Sequence, residues 1–228
     1  MSTAMNPDMM MVRSVRWFGR EVFEIAMERN NLVFMPGDCL ALFAADGRVS
    51  RPYSIASGIH DDTVRFVIRH MPGGVVSSFL SSRQPGDAVR VSPPFGWFRP
   101  GEHAEVRPFV FIATGTGIAP FLSFFRSFPE IKPLQCLYGV RNTADLIDPD
   151  WLRKQGPVRI AVSREVVPGT FHGRVTGILE TLTLPVDADY YLCGLDVMID
   201  EVTIQLEQRG IEITRIHREC FFNASYYS

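Results

Sequence analysis

Residues 108–128 read PFVFIATGTGIAPFLSFFRSF, and the order of parts within this stretch decides the fold. A run of strand formers, Pro108 to Ala113, leads into a turn with two glycines, Gly115 and Gly117. An apolar segment with Pro120 in its first turn follows, where a helix accepts proline because the missing N–H would be unpaired there anyway. Strand, glycine turn and helix in that order open a parallel βαβ unit, since parallel neighbours need a crossover connection. The same alternation continues to the end of the chain: "LQCLYGV" then "TADLIDPDWLRKQ", "VRIAV" then "VTGILETL", "DYYLCG" then "DVMIDEVTIQLEQRG", and finally "ITRIHREC". Five parallel strands with helical crossovers predict a doubly wound sheet.

Working back toward the N-terminus, the rhythm changes. Short apolar runs, "EVFEIAM", "CLALFAA", "PYSIAS" and "VRFVIRH", are separated by turn signals at Pro36-Gly37, Asp46-Gly47, Gly58 and Pro85-Gly86-Asp87. Closely spaced strands with such punctuation predict an antiparallel barrel. "GGVVSSFLSS" alone interrupts it, as one short helix led by glycine. The expected organisation is α+β with two domains, a barrel over residues 1–104 and an αβ domain over 105–228, joined near Pro100 to Glu105. Residues 1–11 are expected to be disordered.

Composition narrows the classes further. The chain has 228 residues, 46% hydrophobic, with a formal net charge of −2, which fits a globular protein with real cores and excludes disordered and collagen-like chains. No run nears the roughly 18 apolar residues of a membrane span, and the Met-rich start lacks the regions of a signal peptide, so the cytoplasm is the expected compartment. Four scattered cysteines, Cys39, Cys136, Cys193 and Cys220, give no zinc or iron–sulfur spacing and argue against a disulfide framework. No metal is expected. The basic residues, nearly all arginine, are dispersed rather than blocked, which argues against a nucleic-acid partner.

In an open αβ sheet, ligands bind where strands end and helices begin. "ATGTGIAP", Ala113 to Pro120, has two glycines that let the backbone approach a pyrophosphate at a helix start, although it lacks the third glycine of the usual dinucleotide turn. The fourth αβ strand ends in Cys193-Gly194, opening on the same crevice, where a thiol beside a residue without a side chain leaves room for a flat ring. The third ends "VSRE", and Ser163 with Arg164 offers a hydroxyl and a planar fork suited to a phosphate monoester. A pairing of Arg164 with Glu165 is the competing reading. The second ends "YGVRN", with Arg141 and no acidic residue to hold a free ribose 2′-hydroxyl, which favours NADP over NAD, NAD remaining possible. In the barrel half, Arg51 can neutralise a pyrophosphate and Tyr53 can stack on a flat ring. Ser54 can reach a ring nitrogen, and the amides of Gly74 to Ser77 can bond phosphate; together these segments can hold a flavin.

These motifs, in this order, resemble the ferredoxin–NADP reductase superfamily along almost the whole chain: "PGD" at Pro36–Asp38, "RPYS" at Arg51–Ser54, "GGVVS" at Gly73–Ser77, "PPFGWF" at Pro93–Phe98, "GTGIAP" at Gly115–Pro120, "VSRE" at Val162–Glu165, Cys193-Gly194, and "ECFF" at Glu219–Phe222. The resemblance implies an FAD-binding Greek-key barrel joined to an NADP-binding αβ domain. It implies that Arg51, Pro52, Tyr53, Ser54, Val67, Ile68, Arg69, Gly73, Gly74, Val75, Val76 and Ser77 serve the flavin. Thr114, Gly115, Thr116, Gly117, Pro120, Arg141, Ser163, Arg164, Gly194 and Asp196 would serve the nicotinamide dinucleotide. Ser54, Cys193 and Glu219 are the implied catalytic residues, with Cys193 and Glu219 flanking the nicotinamide. An aromatic near the C-terminus covers the flavin in ferredoxin-type members; Phe221, Phe222, Tyr226 and Tyr227 are all candidates for that or for stacking on adenine. The sequence has no C-x4-C-x2-C run of the kind that fused iron–sulfur members carry, so a separate one-electron carrier, ferredoxin or flavodoxin, is the expected partner. Two alternatives stand beside it: a reductase serving an oxygenase, another partner enzyme or free flavin, and a non-catalytic FAD- and nucleotide-binding subunit.

Overall fold

The computed structural model describes residues 8–222, with the side chains of Phe221 and Phe222 outside the described set. The questions raised by the aromatic rings of Phe221, Phe222, Tyr226 and Tyr227 therefore lie outside the described residues. In the N-terminal half, β1 (Met9–Phe18), β2 (Val22–Glu28), β5 (Thr63–Arg69) and β6 (Ala88–Arg90) form a sheet in the order β5-β2-β1-β6, and β3 (Cys39–Phe43) pairs with β4 (Ser50–Ser54). Isolated bridges Ile55–Phe66 and Leu42–Val91 join the two sheets at both edges. Six antiparallel strands thus close around Phe23, Ile25, Met27, Leu40, Leu42, Phe66, Ile68 and Val89. The expected disorder up to residue 11 is corrected for its last residues: Met9, Met10 and Met11 pair with Arg90, Val89 and Ala88, and Met10 is buried in the barrel core. A buried methionine on a paired strand offsets the chain entropy that favours disorder at a terminus.

The second half holds β7 (Phe109–Thr114), β8 (Gln135–Val140), β9 (Val158–Val162), β10 (Phe171–His172), β11 (Asp189–Leu195) and β12 (Ile216–Phe222) in one parallel sheet of order β10-β9-β8-β7-β11-β12. The sheet has six strands where five were expected. The addition is the two-residue β10, too short to leave a periodic signal. Alternation along β7 sorts its side chains: Phe109, Phe111 and Ala113 face α2 (Ala119–Ser127) and α3 (Pro149–Gln155), while Val110 and Ile112 face α4 (Val175–Glu180) and α5 (Asp196–Gln208). Both faces are covered, so the strand reads as continuously apolar. Phe111 stacks on Phe121 with centroids 4.3 Å apart, a pair contributing about 0.5–1.5 kcal/mol beyond area burial. The helix expected from Thr143 starts only at Pro149, after a 3-10 turn at Thr143–Asp145 and a left-handed Asp148. Proline disfavours helical geometry in the residue before it, so the helix begins at the proline itself.

The two halves share a core. Val22, Ala56, Val67 and Phe98 of the barrel side pack into the same cluster as Phe121, Phe124 and Phe125 of α2. This explains why β2 is buried along nearly its whole length rather than on alternate residues. Hydrogen bonds reinforce the contact: the Ser123 hydroxyl donates to the Ser57 carbonyl at 2.7 Å, and Arg126 Nη1 donates to the Ala56 carbonyl at 2.7 Å. The short helix α1 (Val75–Ser81) sits between β5 and β6 as expected.

Candidate functional site

A cavity of about 570 Å³ opens at the C-terminal ends of the central parallel strands, lined among others by Thr114, Gly115, Thr116, Gly117, Ser163, Arg164 and Gly194, and on the barrel side by Glu21 and Arg69. Its volume lies in the range of small-molecule sites. The two-glycine turn has different reasons at its two positions. Gly115 has φ +54° and open space where a Cβ would stand, so the backbone there is accessible to a ligand. Gly117 instead lies against the Cys193 carbonyl, and Gly194, at φ +144°, against the Thr114 hydroxyl; a Cβ on either would overlap those atoms. The Thr114 hydroxyl accepts from the Leu195 amide at 3.1 Å. These close approaches lock the ends of β7 and β11 together at the floor of the cavity.

The walls are cationic. Arg69, Arg141, Arg164 and Arg174 all line the cavity. Burial, then the charges of Arg69 and Arg164, lower the Arg141 pKa, so three guanidinium groups sense one another. Arg69 is neutralised by Glu21 at 2.6 Å, and Arg174 lies 3.4 Å from Glu201. Arg164 makes no ion pair among the described residues. The alternative pairing with Glu165 is absent: the Glu165 carboxylate accepts from the Thr143 hydroxyl at 2.7 Å and from its amide at 3.3 Å. Such an array fits an anionic dinucleotide carrying an additional phosphate.

At the barrel junction the three expected catalytic residues fall into one neighbourhood. Ser54 Oγ donates to Glu219 Oε2 at 3.4 Å. Cys39 Sγ lies 3.5 Å from Ser54 Oγ and 4.0 Å from Glu219 Oε1. Cys193 is fully buried, and burial followed by the charges of Glu219 and Cys39 pushes its thiol well up. Burial, with Glu219 next, likewise pushes Cys39 up to about 12. Both sulfurs are therefore neutral thiols, poor nucleophiles. The Glu219 carboxyl is raised from 4.5 to about 7, chiefly by burial, against the Ser54 hydrogen bond and the Arg99 charge that favour its ionised form. Arg99 itself is held by Asp38 at 2.9 Å.

On the barrel surface, Arg51 and Pro52 are exposed and Tyr53 is half-buried; among the described residues, Arg51 Nη1 donates only to the neighbouring Ser50 carbonyl at 2.8 Å. Gly73, at φ +77°, has nothing within 4 Å of a Cβ position, and Val75 is exposed at the start of α1. Ser77 Oγ accepts from the Met71 amide at 3.1 Å and so fixes the turn leading to Gly74. Val67 packs in the shared core, while Ile68 and Val76 point into the barrel core, so these last two can meet a cofactor only through their backbone. An accessible arginine, a half-exposed tyrosine ring and an open glycine turn fit a flavin dinucleotide. Pro120 is buried in α2. Asp196 opens α5 and accepts from the Cys220 thiol; neither residue lines the cavity.

Residues 11–99 match the family described as an oxidoreductase FAD-binding domain, and residues 111–203 the family described as an oxidoreductase NAD-binding domain. The flavodoxin/ferredoxin–NADP reductase of Escherichia coli (strain K12) is 30% identical over 200 residues, covering 78% of this chain and 81% of that one. The chain belongs to the ferredoxin–NADP reductase superfamily. Its class is oxidoreductase, with an FAD-binding and an NAD-binding domain. The toluate 1,2-dioxygenase electron transfer component of Pseudomonas putida is 33% identical over 205 residues, 84% of this chain and 60% of its own; the chain thus spans about three fifths of that curated relative. Among solved structures, a cytochrome P450 reductase of Amycolatopsis superimposes with a TM-score of 0.84 at 25% identity, covering 94% of this chain and 69% of that one. Among the described residues no helix is long and apolar enough to cross a membrane.

Sequence reasoning missed Cys39, Arg174 and Glu21. Cys39 follows "PGD", and its thiol reads as ordinary core until β3 is paired with β4, which sets Cys39 opposite Ser54. Arg174 precedes α4 at the mouth of β10, the strand that was not foreseen. Glu21 lies in the β1–β2 turn and reaches the cavity only because the barrel packs against the parallel sheet.

Proposed function

We propose that this chain takes hydride from NADPH and passes electrons one at a time to a separate carrier of the ferredoxin or flavodoxin type. FAD, when bound, supplies the exchange between a two-electron hydride and single electrons. The observation that carries the reading is the cluster of Ser54, Cys39, Cys193 and Glu219, contributed by both halves and adjoining the Gly115–Gly117 turn through the Cys193 carbonyl. In this reading Arg51, Tyr53 and the amides at the start of α1 hold the flavin, and Val67 and Arg69 border it. Thr114 to Gly117 seat the pyrophosphate of the nicotinamide dinucleotide, and Ser163, Arg164, Arg141 and Arg174 hold its 2′-phosphate. Ser54 and Glu219 hold a proton between them beside the reacting rings, and the neutral thiols of Cys39 and Cys193 pack that site and keep water out.

A second reading is favoured by the relatives' names, several of which are reductase or electron transfer components of dioxygenase systems. In it the carrier is the iron–sulfur component of an oxygenase. The experiment is an anaerobic titration of the yellow protein with NADPH and with NADH, followed by mixing with ferredoxin, flavodoxin and a dioxygenase ferredoxin. Bleaching by NADPH followed by rapid transfer to a one-electron carrier supports the proposal, and the preferred carrier decides between the readings. A protein that binds FAD and stays oxidised in the presence of both nucleotides overturns both.

A further inference from the structure

At the opposite end of the parallel sheet from the cavity, three side chains distant in sequence converge. Asp189 is the first residue of β11, His217 lies on β12 beside Tyr191, and His103 belongs to the turn joining the two halves. One ligand atom from each lies within 4.8 Å of the others. Five residue steps along the strand take Asp189 to Gly194, roughly 16 Å at the usual rise, so this cluster is remote from the proposed hydride site.

The polar groups here are incompletely paired. Asp189 is 1% exposed; its Oδ2 meets His103 Nδ1 at 3.1 Å, while its buried Oδ1 has no hydrogen bond. Arg107 and Arg215 stand off that oxygen at 3.8 and 3.7 Å, and Arg215 Nη1 donates instead to the Asp187 carbonyl at 2.9 Å. His217 Nε2 is also buried without a partner, its ring clamped flat against Tyr191 at 4.5 Å. Buried polar atoms are ordinarily satisfied, so an unpartnered His217 Nε2 beside an Asp189 oxygen held only by long ion pairs asks for a missing partner.

We propose that His103, Asp189 and His217 form a binding site for a divalent transition metal, with zinc the fitting ion, that staples the inter-domain turn to β11 and β12. Two imidazole nitrogens and one carboxylate oxygen suit zinc, which at open sites takes three protein ligands and leaves its fourth position to water, whereas calcium and magnesium prefer oxygen alone. Ligand atoms around a tetrahedral zinc sit closer together than 4.8 Å, and His103, half-exposed on a turn, is the ligand free to move inward. Zinc would also have to displace Arg107 and Arg215 from Asp189, with the neighbouring Glu102 offsetting part of the added positive charge. This competition makes the proposal testable from a third residue.

The test uses tag-free, FAD-loaded protein stripped with chelator, in a Cys220→Ser background so that the exposed thiol does not compete, titrated with Zn(II) against a chelating dye. One zinc per chain at micromolar affinity is expected, with a rise in Tm on binding. His103→Ala and His217→Ala should each weaken binding at least about tenfold and abolish the Tm rise, with the flavin spectrum unchanged. Arg107→Ala should tighten binding. If His217→Ala does not fold, His103→Ala and Arg107→Ala decide. No zinc bound at micromolar concentration, or binding that neither the His103 nor the Arg107 substitution alters, overturns the site and leaves the cluster as an ion-paired latch.

Discussion

Glu219→Gln gives the sharpest separation between a carboxyl that the fold keeps neutral and one that is merely near the cofactors. In the folded chain this carboxyl titrates at about 7 against an ordinary 4.5, mainly because burial penalises the charge. Below about pH 4.5 the group is protonated in both states and costs nothing. As pH rises toward 7 the unfolded chain loses its proton first, so stability falls through that window and is flat above it. Moving the carboxyl that far corresponds to about 3 kcal/mol once it is fully ionised, and partial solvent contact brings the expected figure nearer about 2 kcal/mol. Glutamine keeps the shape and can still bond Ser54, and it carries no charge. Urea unfolding of parent and variant at the same saturating FAD should therefore show the variant's advantage growing by about 2 kcal/mol between about pH 5 and about pH 8. A difference that does not change with pH, or a parent that gains relative stability as pH rises, would refute the assignment of a neutral, buried acid.

Arg51→Ala should weaken FAD retention by about 1.5–3 kcal/mol, the worth of one charge-assisted contact, measured by the FAD concentration needed to restore the yellow protein; unchanged retention makes the arginine structural. Arg164→Ala should lower kcat/KM for NADPH by roughly ten- to a hundredfold and leave NADH alone, and equal losses with both nucleotides would rule out a 2′-phosphate contact. Cys193→Ser should slow stopped-flow flavin reduction without altering FAD content; an unchanged rate returns Cys193 to a packing role. Ser123→Ala should lower stability by about 1–3 kcal/mol, because the buried Ser57 carbonyl loses its donor between the two halves, and a shift in urea midpoint smaller than this would mean that water reaches that seam.

The fold was legible because each half advertises a period. In the second half, apolar strands alternate with helices at intervals that only a parallel sheet accommodates, and "ATGTGIAP" marks the sheet's open end. What could not be read depends on contacts between the halves. β2 alternates weakly in sequence because both its faces are buried, and Glu21 reaches the cavity only across the interface. Cys39 looked like an ordinary apolar thiol; antiparallel register alone places it opposite Ser54. The His103–Asp189–His217 cluster has no spacing signature at all, since its members come from a turn and two strands whose adjacency is a property of the sheet order.

The C-terminal edge of the parallel sheet serves two opposite electrostatic purposes. Around the cluster of Ser54, Cys39, Cys193 and Glu219 the titratable groups are held neutral: Cys39 and Cys193 by burial, and Glu219 by burial at any pH below about 7. The nearest full charges, Arg99 and Asp38, are spent on each other at 2.9 Å. A site with little charge of its own lets the potential there be set by whatever binds, which suits chemistry in which charge moves between two bound rings. Across the cavity the opposite holds: Arg69, Arg141, Arg164 and Arg174 line one wall, and the Arg141 pKa is lowered first by burial and then by the charges of Arg69 and Arg164. Repulsion of that kind is relieved by an anion, so the folded chain is poised to bind phosphate in that pocket. The dinucleotide would then be anchored by its phosphates at the charged end and left to meet the neutral cluster with its uncharged face. Under the proposed function, hydride transfer would be separated in space from recognition, and Arg164→Ala and Cys193→Ser should affect different steps: the first nucleotide choice, the second the rate of flavin reduction at saturating nucleotide. If Cys193→Ser instead raised KM for NADPH with no change in that saturating rate, the division between the two ends of the cavity would not hold.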